Sequence, residues 1–60
     1  MKCEKSFKRV MVVRWGIRLA GKYRLPAVKR QMRRAMRLPM AQLREGLAEL
    51  ETQLIMGEVV

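Results

Sequence analysis

Pro26 and Pro39 constrain this chain more than any other feature. Proline has no backbone N–H, and its ring disfavours helical geometry at the residue before it. A helix therefore stops ahead of a proline or starts at one, where the missing donor is unpaired anyway. No single helix can run the length of these 60 residues. The spacing predicts one helix from Pro26 to about Arg37 and another from Pro39 to about Met56, with Leu38 as the break between them. Gly57 is expected to cap the last helix.

The stretch between the prolines, Ala27–Leu38, reads AVKRQMRRAMRL. At about 100° per residue, Lys29, Arg30, Arg33, Arg34 and Arg37 fall within an arc of roughly 140°. Val28, Met32, Ala35 and Met36 occupy a separate arc of roughly 100°. That is an amphipathic helix with one cationic face. Its apolar arc is too narrow to be a core by itself, so something must pack behind it.

The last stretch supplies a candidate. Met40, Leu43, Leu47, Leu50 and Leu54 recur at spacings alternating three and four, the a/d seam of about two and a half heptads. That length does not hold an isolated coiled coil. The seam can fold back on Val28, Met32 and Met36, or serve as an interface to a partner chain or a second copy. Gly46 borders it and suits a close backbone approach.

The first stretch reads two ways. Met1–Ser6 is polar and patternless, and is expected to fray. From Phe7 to Arg24 a strand would put Met11, Val13, Trp15, Ile17 and Leu19 on one side. A helix would put Val12, Gly16, Leu19, Ala20 and Tyr23 on one face and Arg14, Arg18 and Lys22 on the opposite one. Helix is the preferred reading, with Gly16 and Gly21 as weak points. A lone strand in an otherwise helical chain would leave its backbone polar groups unpaired. The expected fold is all-α, two or three short helices broken at Pro26 and Pro39. They form a helical hairpin or small bundle, completed or not by a partner. Short connections favour one domain over residues 1–60.

Charge divides that domain. The net charge is +9, but residues 1–37 carry +12 and residues 38–60 carry −3, and no acid occurs from Lys5 to Arg44. This suggests a basic binding part, 1–37, joined to an assembly part, 38–60. A chain of this size buries a marginal core. With Cys3 its only cysteine and no histidine, it has no intrachain disulfide and no zinc-finger ligand set. A nucleic acid, a protein partner or a homo-oligomer is the remaining support.

Other classes find little to work with. The longest apolar run, Val10–Val13, is far short of the roughly twenty residues of a membrane span. Arg14 interrupts any secretory core. The basic first half shares composition with mitochondrial transit peptides, but it has one serine, Ser6, and continues past the length of a presequence. A single unpaired cysteine is compatible with a reducing cytoplasm, and a cytoplasmic location is expected. Without histidine or aspartate, catalysis lacks its usual acids and bases, so no enzyme activity, cofactor or metal is expected. Gly16–Lys22 lacks the Walker spacing. Cys3 reads as a free thiol without a role, despite Lys2 and Lys5 beside it.

The cationic face carries the functional expectation. Arginine offers phosphate oxygens a planar fork of donors that stays charged. The candidate nucleic-acid contacts are Lys29, Arg30, Arg33, Arg34 and Arg37, joined by Arg14, Arg18 and Lys22. RNA is favoured over DNA, because arginine-rich segments bind structured RNA, and the expected setting is a ribonucleoprotein assembly. Trp15 and Tyr23 are candidates for base stacking, with packing the preferred role. A non-enzymatic regulatory subunit docking through the leucine seam is the alternative.

A basic alternating segment, Val12–Leu19, followed by two helices also resembles the ribbon-helix-helix DNA-binding proteins. The resemblance implies a dimeric repressor, with Arg14 and Arg18 of the ribbon on the DNA and Leu43–Leu47 opening the second helix. The chain departs from that family in two places. Arg37-Leu38-Pro39 replaces its polar Gly-x-Ser turn, and Pro26 falls inside the expected span.

Overall fold

A computed structural model describes the backbone of residues 3–59 and the side chains of residues 6–57. Three helices follow in order: α1 (Cys3–Ala20), α2 (Leu25–Met36) and α3 (Leu43–Val59), with a single 3-10 turn at Met40–Gln42 leading into α3. They pack together as a small all-α bundle, and no strand occurs among the described residues. The ribbon of the ribbon-helix-helix comparison is therefore overturned, since Val12–Leu19 lies wholly within α1.

The prolines act close to where expected. Arg24 takes extended backbone (φ −63°, ψ 136°), and α2 starts at Leu25, one residue ahead of Pro26. The Val28 N–H donates to the Arg24 carbonyl at 3.1 Å, closing the first turn. At the other end the Leu38 N–H donates to Ala35 O, Pro39 is extended, and the Gln42 N–H donates to Pro39 O. After α1, the Lys22 and Tyr23 N–H groups both donate to Leu19 O, at 2.9 and 2.8 Å, and end that helix.

Two terminal expectations are corrected. Residues 3–6, expected to fray, form the first turn of α1, while Met1 and Lys2 lie outside the described residues. Gly57 does not cap α3; the helix continues through it to Val59, and no glycine has positive φ. Val60 lies outside the described residues.

Val12, Trp15 and Leu19 of α1, Val28 and Ala35 of α2, and Leu43, Leu50 and Leu54 of α3 form the core. Met11, Tyr23, Ala27, Met32, Leu38, Met40 and Leu47 pack around it half-buried. The inner face of α1 differs from the expected one: Val12, Gly16 and Leu19 turn inward, Trp15 joins them, and Ala20 is exposed. Burial of Trp15 also removes it as a stacking platform for bases.

Cross-chain contacts fix the arrangement. The Lys8 ammonium donates to the carbonyl of Leu38, so the first half of α1 lies beside the end of α2 and the two run antiparallel. The Trp15 indole N–H donates to Glu51 Oε1 at 3.3 Å, and Arg18 Nη2 lies 3.7 Å from the same oxygen. Glu51 thus ties α3 to α1.

Two glycines are approach points. A Cβ on Gly16 would overlap the Met32 thioether, and one on Gly46 would overlap the Leu38 side chain. Each costs up to about 1 kcal/mol of helix propensity relative to alanine. In return a neighbouring side chain sits directly on helix backbone.

Candidate nucleic-acid interface

Helix α2 presents its cations because its apolar positions face α1 and α3. Val28 and Ala35 are fully buried, which turns Lys29, Arg30, Arg33, Arg34 and Arg37 outward, and all five are exposed. Among the described residues no carboxylate lies within ion-pair distance of any of them; the one ion pair there is Arg18–Glu51. Arg34 Nη1 reaches Gln53 Oε1 of α3, a neutral partner, at 3.5 Å. Leu25, Pro26, Lys29, Arg30 and Arg33 line a shallow hollow at the start of the helix, with an ammonium and two guanidinium groups at its edge.

From Lys29 to Arg37 the face runs about 12 Å along the axis. Lys29 and Arg33 border α1, and Arg30 and Arg34 border α3. Such a surface can grip several phosphates at once. Gln31, the one amide of α2, is buried at 7% exposure. Its Oε1 has no hydrogen-bond partner among the described residues.

Arg14, Arg18 and Lys22 are exposed but form a separate row. Arg14 and Arg18 flank Leu47 on the α3 side of α1, and Arg18 is engaged by Glu51. They do not join the α2 face. Arg9 does: with Lys29 and Arg33 it edges the groove between α1 and α2. Sequence reasoning passed over Arg9. Its signal was the position three residues before Val12, at the border of the inward face of α1.

The leucine seam is turned to the chain's own fold. Leu43, Leu50 and Leu54 are 0%, 8% and 5% exposed, and Leu47 and Met40 are half-buried. Of the two uses open to the seam, Leu43, Leu50 and Leu54 take the fold-back onto the chain's own core. No helix among the described residues is long and apolar enough to cross a membrane.

No family model, no curated protein and no solved structure matches the chain.

Proposed function

We propose that this protein binds nucleic acid, RNA in preference to DNA, through phosphate contacts from the outer face of α2, as a component of a ribonucleoprotein assembly. The observation behind it is the set of five exposed cations on one helix face with no carboxylate of the described residues in ion-pair reach. A solvated face that merely kept the protein soluble would be expected to mix both signs.

In this reading Arg30, Arg33, Arg34 and Arg37 hold phosphate oxygens with paired N–H donors, and Lys29 acts as a point charge. Release of condensed counterions supplies much of the affinity. With its guanidinium groups engaged on phosphates and no exposed amide or aromatic side chain on the face, recognition goes to the shape and backbone of a folded RNA. Burial of the leucine seam weighs against the alternative of a subunit docking through it.

Filter binding to a structured RNA over a salt series tests the proposal. Five phosphate contacts give a log–log slope of about −3.5 to −4.5. Replacing Arg33 and Arg37 with glutamine removes two contacts and flattens the slope by about two units. Both side chains are exposed, so the fold is expected to survive. A salt-independent affinity, or no binding near physiological salt, refutes the proposal.

A further inference from the structure

Helix α1 is apolar on two sides. One side enters the core through Val12, Trp15 and Leu19. The other looks outward: Phe7, Val10, Val13 and Ile17 are 58%, 51%, 39% and 69% exposed. At 100° per residue these four lie in an arc of about 120°. From Phe7 to Ile17 they run about 15 Å along the axis.

The patch continues across Val13 into a groove of about 280 Å³ between α1 and α2, floored by Val12, Met32 and Met36. Arg9, Lys29 and Arg33 edge that groove. Arg9 and Arg14 border the outer concavity around Val10 and Val13. The surface is therefore an apolar strip with Arg9, Lys29 and Arg33 along one margin, and with Arg14 set between Val10 and Phe7, where its long side chain can carry the guanidinium to the edge.

We propose that this face docks on the surface of a bilayer containing anionic lipids. Helix α1 lies in the interfacial plane, with Phe7, Val10, Val13 and Ile17 inserted below the headgroups. Arg9, Arg14, Lys29 and Arg33 contact headgroup phosphates.

Charge selects this occupant. Pairing the strip with a second copy would set Arg9 and Arg14 against their own images, with no acid between Lys5 and Arg44 to separate them. An anionic bilayer offers phosphates at the depth of the margins and hydrocarbon beneath the strip, the arrangement used by helices that lie in a membrane interface. Since no described helix can cross a membrane, the attachment is peripheral. The inference does not depend on nucleic-acid binding, because its apolar contacts belong to α1.

Co-sedimentation of the full chain with vesicles tests it. Equal parts phosphatidylglycerol and phosphatidylcholine are compared with phosphatidylcholine alone. Binding is expected to the anionic vesicles only. It should fall on the order of tenfold or more for each of Val10→Gln and Ile17→Gln, and about fivefold for each of Arg9→Gln and Arg14→Gln. Glutamine is a better helix former than valine or isoleucine. Helical circular dichroism and unchanged emission from the buried Trp15 verify that the variants fold. RNA affinity should be unaltered by Val10→Gln and Ile17→Gln, so failure here is separable from failure of the nucleic-acid proposal. Three results overturn the inference: no binding to anionic vesicles, equal binding to neutral ones, or no effect of Val10→Gln and Ile17→Gln in a folded chain. Self-association abolished by Ile17→Gln would assign the strip to a second copy and also overturn it.

Discussion

Replacing Gly16 with alanine pits a helix propensity against a packing contact, and the sign of the result depends on Met32. Alanine is worth about 1 kcal/mol more than glycine inside a helix. In this fold its Cβ would overlap Sδ, Cε and Cγ of Met32, so the thioether must leave the backbone of α1. Such overpacking costs about 1–3 kcal/mol. The net expectation for Gly16→Ala is a change from near zero to about 2 kcal/mol of destabilisation. Shortening Met32 to alanine removes all three overlapping atoms. In that background Gly16→Ala should instead stabilise by up to about 1 kcal/mol. The coupling between the two sites is then about 1–3 kcal/mol, within the range seen for residues in contact. Thermal unfolding by far-UV circular dichroism reads it directly, since 1 kcal/mol moves the midpoint of a domain this small by about 4–8 °C. Equal stabilisation by Gly16→Ala with and without Met32 would show that the thioether is not held against Gly16, and the close contact described above would be refuted.

Two further outcomes follow from burial. Leu43 is fully buried at the start of α3, so Leu43→Ala should cost about 2–5 kcal/mol and unfold much of the population at ambient temperature, while Met56→Ala, at a site 63% exposed, should leave the midpoint near the parent value. Gln31 holds a buried oxygen without a partner among the described residues, so Gln31→Leu should raise stability by about 1 kcal/mol in the same melt and leave the salt slope of RNA binding unchanged.

Much of the fold was legible because it follows from local rules. Pro26 and Pro39 divide the chain by backbone chemistry alone, and the helix between them needs only the 3.6-residue period to gather five cations on one side. The a/d spacing of Met40, Leu43, Leu47, Leu50 and Leu54 marked a buried seam. Its partner was a choice between two surfaces, and only packing shows that α1 and α2 cover it. The candidate face on α2 was legible residue by residue. The row of Arg14, Arg18 and Lys22 was also legible, but its separation from α2 and the capture of Arg18 by Glu51 needed the relative placement of three helices.

Helix α1 is where the sequence stops deciding. Its apolar residues alternate as Met11, Val13, Trp15, Ile17 and Leu19, and they also supply two helical faces, so neither period prevails. The tertiary structure chooses: Trp15 reaches Glu51, Met32 closes on Gly16, and Val12 and Leu19 enter the core, leaving Val13 and Ile17 outside. Hydrophobic burial is non-directional, so two equivalent faces on one helix are told apart only by what packs against them. For the same reason the sequence by itself determined the helix boundaries at the prolines and the cationic arc of α2. The exposed strip of α1, the burial of Gln31 and the roles of Gly16 and Gly46 exist only once α2 and α3 are in place.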